Sequence, residues 1–247
     1  MKKIQKPIKE KFEISNFKVI FNFESVLCSN EPHDYIKEIE AQLVIQNIST
    51  PDKNVIVGVA NIYKVELGRA MNERQSTTEI FDSYNDELFD YYETLFDLES
   101  EEFNLNLEKL AEPGMGSDLL IIDKVEILPK YRGMNLGLVL AQEAISNLSG
   151  GCQYVTLRPF PLQFGPHKKI PANKKAALKY DLFDRIEKKA FSKLRNHWGK
   201  LNFVRVGKSN VFIKSPESLP HINIENLFKT PASVEKSKIP KKRRVNS

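Results

Sequence analysis

Residues 118–157 constrain the fold more than any other part of the chain. "DLLIIDKVEIL" is an apolar extended run closed by Pro129, and "RGMNLGLVLAQEAISNL" reads as a helix whose apolar positions go most of the way round. "SGG" stops that helix, and "CQYVTL" is extended again. Strand, helix and strand within about forty residues make a βαβ unit, so the two strands lie parallel. The sequence predicts strands over 118–128 and 152–157 and a buried helix over 132–148.

The preceding segments alternate. Phe17, Val19, Phe21 and Phe23 share one face, with Lys18, Asn22 and Glu24 mostly on the other. Ile39, Ala41, Leu43 and Ile45 likewise oppose Glu38, Glu40 and Gln42. A period of two predicts half-buried strands over 12–28 and 36–48. "NISTPDKN" is a turn, and "NVIVGVANIYKVEL" begins apolar on both faces, as a central strand does. "STTE" at 76–79 fits a capping box, and Phe81, Tyr84, Leu88, Tyr91 and Leu95 recur at helical spacing behind it. From Glu79 to Glu112 twelve carboxylates stand against one base, Lys109. That segment reads either as a solvated helix face with a flexible acidic loop, or as a rim attracting a cationic substrate. A Pro- and Lys-rich connection follows the βαβ unit. Then come a long helix carried by Phe183, Ile186, Ala190, Leu194 and Trp198, and a hairpin turning at "GKSN". The expected fold is α/β: a mixed, mostly antiparallel sheet with a central parallel βαβ unit, flanked by helices. One domain is expected over 12–214, between an extension (1–11) and a polar tail (215–247).

The turn inside the βαβ unit carries the chemistry. Leaving a strand and entering a helix strands the first helical N–H groups, and these with the helix dipole attract anions. Gly133 and Gly137 allow close backbone approach to a phosphate, and Arg132 adds positive charge. No Gly-Lys-Ser/Thr follows, which excludes a Walker loop, and the spacing excludes a dinucleotide fingerprint. Asn135, where a third glycine would serve, is the non-glycine residue best tolerated at positive φ.

"VEILPKYRGMNLGLVL" resembles the acetyl-CoA-binding motif of the GNAT acetyltransferases, Arg/Gln-x-x-Gly-x-Gly/Ala after a strand and a Pro-x-Tyr/Phe. Pro129, Tyr131, Arg132, Gly133, Met134, Leu136 and Gly137 fit, and Asn135 departs. "HWGKLNFVRVG" resembles a later element of that family through Trp198, Lys200, Leu201 and Phe203, with Asn202 in place of glycine. The resemblance covers residues 118–214. The main N-terminal helix departs from it, falling after three strands instead of between the first and second.

The resemblance implies transfer of an acetyl group from acetyl-CoA to an amine. The pyrophosphate would sit on the amides of Arg132, Gly133, Met134, Asn135, Leu136, Gly137 and Leu138. The pantetheine arm would lie along Ile127 and Leu128, where the strand splays from residues 152–157. A backbone N–H there would polarise the thioester carbonyl. Glu126 and Asp123 are the candidate general bases. Trp198 stands where the family often has a general-acid tyrosine, and Tyr180, placed earlier on the same helix, is the substitute. Lys168, Lys169, Lys174 and Lys175 form a solvated loop or reach the CoA 3′-phosphate.

Charge separates body from tail. The net +5 sits almost wholly after Lys229, where seven bases meet one acid, so the body is nearly neutral. "PKKRRV" at the end resembles a nuclear-localisation signal and also suits phosphate backbones. Otherwise no apolar run is long enough to span a bilayer and no secretory leader is evident, which points to the cytoplasm. Cys28 and Cys152 make no disulfide framework, and the four histidines lie too far apart for a metal site. Oligomeric state is not legible. Two rival readings stay open: a GNAT-fold acyl-CoA-binding or interaction module without strong catalysis, and a nucleic-acid-associated protein using its basic tail.

Overall fold

The computed structural model describes residues 16–25, 31–46, 54–165 and 177–218. The N-terminal extension, the turn over 47–53, the lysines at 168–175, Cys28 and the basic tail lie outside these. β1 (Phe17–Phe23), β2 (Ile36–Ile45), β3 (Val55–Val65) and β4 (Asp118–Ile127) pair antiparallel in sequence. β4 then pairs parallel with β5 (Cys152–Leu157). The hairpin of β6 (Val204–Arg205) and β7 (Phe212–Lys214) returns so that β7 lies between β5 and β6. The sheet order is β1-β2-β3-β4-β5-β7-β6. This is an α/β fold on a mixed, mostly antiparallel sheet, with β4 and β5 its parallel pair.

Each face of the sheet has its own core. On one, Leu120, Ile122, Val155 and Leu157 pack against helix α4 (Leu136–Leu148) and against Trp198, Leu201 and Phe203. On the other, Leu119, Ile121, Tyr154 and Ile213 pack against α1 (Leu67–Glu73), α2 (Thr77–Asp82) and α3 (Asp86–Leu95). Cys152 is a buried free thiol in the first core. Among the described residues no helix is long and apolar enough to cross a membrane.

Three helices differ from expectation. The helix expected behind Ser76 is two helices, because the Asn85 side chain accepts from Leu88 N (2.9 Å) and caps a new start at α3. Ser76 does cap α2, but Glu101 supplies most of the capping: it takes Thr77 N at 2.6 Å and the Ser76 and Thr78 hydroxyls. The loop that holds Glu101 is closed by a Phe96–Phe103 bridge with the rings 4.4 Å apart, not left open. α4 starts at Leu136 instead of Arg132, since Asn135 is left-handed (φ 56°) and ends the preceding turn. The helix expected to run to Trp198, α5, is Glu187–Gly199. Tyr180 therefore lies on a separate short turn (Tyr180–Leu182), not on the helix of Trp198. α1 was not anticipated.

Candidate active site

The parallel pairing of β4 with β5 ends at Ile122 opposite Leu157, while β4 continues to Ile127 paired only with β3. The β3 register slips between Asn61 and Ile62, which leaves Asp123 as an unpaired bulge residue on β4. So the bulge falls where β4 parts from β5. The gap between the strands opens into a cleft of about 530 Å³. It is lined by Val125 and Ile127 of β4, by Arg132, Gly133 and Asn135 to Gly137 of the turn, and by Phe160 to Gln163, Leu194, His197 and Trp198.

Backbone alternation decides which strand amides face this cleft. Leu128 N donates to Val57 O at 2.9 Å, towards β3. Its neighbour Ile127 must then point both backbone groups the other way. Consistently, Ile127 O accepts from Arg132 Nε (2.8 Å) instead of from β3. The N–H groups of Ile127 and Val125 thus line the parted edge, and Leu128, expected there, does not.

At the turn, Gly133 (φ 82°) has open space where a Cβ would stand. Among the described residues no backbone acceptor takes the N–H groups of Gly133, Met134, Leu136 or Gly137. Leu138 N is used by Asn135 O (2.9 Å), and Leu138 is fully buried. Asn135 and Asn202, the two asparagines that replace glycines in the motifs, both hold positive φ, 56° and 64°. Arg132 does not aim its charge into the turn: the guanidinium donates to Ile127 O and Leu178 O and stacks 4.3 Å over Phe183. Arg132, Gly133, Asn135, Leu136 and Gly137 line the cleft; Met134 and Leu138 do not.

The candidate acids and bases separate. Asp123 lines the cleft, and no described group donates a hydrogen bond to it. Burial, then the carboxylates of Glu87 and Glu38, raise its pKa to about 6 against the pull of Arg158 and Lys124. Glu126 is buried and faces elsewhere: Tyr180 Oη donates to it, and Lys124 Nζ lies 3.4 Å away. Burial and that carboxylate push the Tyr180 phenol above its ordinary range. Neither Glu126 nor Tyr180 lines the cleft. Trp198 is a core residue, edge-on to Phe203 with ring centroids 6.2 Å apart.

Sequence reasoning passed over Val125 and His197. Both line the cleft, and His197 adjoins the Trp198 that the motif did single out. Among the described residues no group of three His, Cys, Asp or Glu side chains is placed to hold a metal ion. The cleft therefore combines an anion-receptive turn, two outward strand amides and one poised carboxylate. No protein-family model, curated protein or solved structure matches the chain.

Proposed function

We propose that the protein is a GNAT-type N-acetyltransferase acting on a cationic amine with acetyl-CoA as co-substrate. One observation carries the reading: a single cleft joins the glycine-containing turn at the start of α4 to the Asp123 carboxylate, whose pKa burial raises to about 6. The positive φ of Asn135 and Asn202 supports it, because both positions keep the backbone conformation that the glycines of the family motifs supply.

In this reading the amides of Gly133, Leu136 and Gly137 receive the pyrophosphate, and open space at Gly133 and the missing side chain at Gly137 let it approach. The apolar edge of β4 takes the pantetheine arm. The N–H of Val125 or Ile127 donates to the thioester oxygen as negative charge grows there. Asp123 accepts a proton from the acceptor ammonium, directly or through water, and the amine nitrogen attacks the carbonyl carbon. The C–N bond forms, the C–S bond breaks, and the thiol leaves with a proton. Glu38 and Glu87, which act on Asp123 electrostatically, give the acceptor side the negative potential that a cation needs.

The test is incubation with isotopically labelled acetyl-CoA and a panel of primary amines, following thiol release and product mass. Labelled N-acetyl products are expected. Absence of CoA binding by calorimetry would end the reading. CoA binding without thiol release would favour an acyl-CoA-binding module, the reading that Trp198 supports by filling the core where the motif expects a phenol.

A further inference from the structure

Gly137 is the second residue of α4. A Cβ built on it would meet Val125 Cγ1 at 3.6 Å, Ile127 Cγ1 at 3.8 Å and His197 Nε2 at 3.9 Å. These are ordinary contact distances, so β4, α4 and α5 converge on a methyl-sized space that the chain leaves empty. His197, on the last turn of α5, packs edge-on against Trp198 at 5.7 Å. Among the described residues neither of its ring nitrogens takes part in a hydrogen bond.

The other basic side chains lining the cleft are all engaged. Arg132 is held by two carbonyls, Lys193 by Asp184 (2.5 Å), Lys124 lies 3.4 Å from Glu126, and Arg158 pairs with Asp90. His197 is the one that borders the turn without a partner of its own. Beside the apolar side chains of Val125 and Ile127, a polar ring nitrogen without a protein partner is open to bonding by a ligand in the cleft.

We propose that His197 is a ligand-positioning residue whose Nε2 hydrogen-bonds the anionic end of a ligand seated on the first turn of α4, across the Gly137 gap. The assignment rests on the acetyl-CoA reading, in which that end is the pyrophosphate. Burial, then Lys200, holds the imidazole pKa down to about 4, so the ring is neutral at physiological pH. It therefore contributes a directed bond and not a charge, while the amides and helix dipole supply the electrostatic attraction.

Calorimetry with CoA tests this on His197→Gln, His197→Leu, Gly137→Ala and the Gly137→Ala/His197→Leu pair, with unfolding midpoints as a check on folding. Gln keeps a donor near Nε2 and should bind within about threefold of wild type. Leu should bind roughly 10- to 100-fold more weakly, as expected for losing a hydrogen bond to a charged group. Ala at 137 fits the space but blocks the approach, so the double variant should be no weaker than the worse single one. Wild-type affinity in His197→Leu would overturn the assignment. A second arm follows the His197 ring signals by NMR while inorganic pyrophosphate is added. If wild type binds no CoA, the acetyltransferase reading fails and this arm decides alone: a saturable shift of His197 supports its role, and no shift overturns it.

Discussion

Asp123 and Lys214 both occupy places that oppose their charge, and they predict opposite pH behaviour. Asp123 has a folded pKa of about 6, above the ordinary 3.8. A raised carboxylate pKa favours the fold at low pH, and that contribution is lost as pH rises from about 4 through about 6. Asp123→Asn should therefore be more stable than wild type at about pH 8, with the difference vanishing near pH 4 in urea unfolding. The same substitution should cut acetyl transfer by about 10²- to 10⁴-fold, the usual worth of a general base. Wild-type kcat/KM for an amine acceptor should rise with a limb near pH 6. A variant that loses neither activity nor the limb would exclude Asp123 as the base. Lys214 is the converse case. It is fully buried, its Nζ has no hydrogen-bond partner among the described residues, and burial lowers its pKa from 10.5 to about 8. Its unfolded state holds the proton longer, so the penalty is complete below pH 8 and fades as pH rises towards 10.5. Lys214→Met should stabilise by up to about 3 kcal/mol at neutral pH, at 1.4 kcal/mol per pKa unit. Its advantage should shrink between about pH 8 and 10 when both chains are unfolded in parallel.

At the scale of elements, the turn before α4 is where sequence and structure meet most closely. Gly137→Glu should abolish measurable CoA binding, because its side chain and negative charge would enter the space between Ile127, Val125 and His197. Undiminished affinity would move the site elsewhere. Asn135→Val should cost about 1–2 kcal/mol in unfolding free energy, since a branched side chain opposes the left-handed backbone there. The turn was legible because positive φ and an apolar helix leave local marks: glycine, asparagine and an unbroken run from Leu136 to Leu140. The strands were legible for the same reason, a period of two. What was not legible depended on partners far along the chain. The acidic stretch could not reveal that Glu101 caps α2, 24 residues away from Thr77 N. Tyr180 and Glu126 looked like separate candidates, yet they satisfy each other across 54 residues. The Asn85 cap that splits α2 from α3 looked like one more polar position on a helix face. His197 was set aside as one of four scattered histidines, and only the approach of α5 to α4 gives it a place.

Across the whole molecule, the sheet sets the two halves of the proposed reaction on opposite faces. The turn, α4 and α5 belong to one core, and Tyr91 and Leu88 of α3 to the other. The parting of β4 from β5 is the window between them, with the Asp123 bulge at its edge. Acidic groups act on Asp123 from β2 (Glu38) and from α3 (Glu87), so in the proposed reaction a cationic acceptor would be drawn towards the window, away from the anion-receptive turn. Separating the two potentials keeps the acidic rim from repelling a phosphate-bearing ligand. A Glu38→Gln/Glu87→Gln variant tests that division. Gln at 38 can still accept from Tyr84 Oη, so the bond now 2.7 Å long is retained. The variant should raise KM for a cationic amine and flatten the salt dependence of kcat/KM, because screening acts on the charges it removes. It should leave CoA affinity unchanged. Removing two like charges should also let Asp123 ionise more readily, shifting the acid limb of activity below about pH 6. A variant that changed CoA affinity and amine KM together would place both charges on one surface and contradict the two-face arrangement.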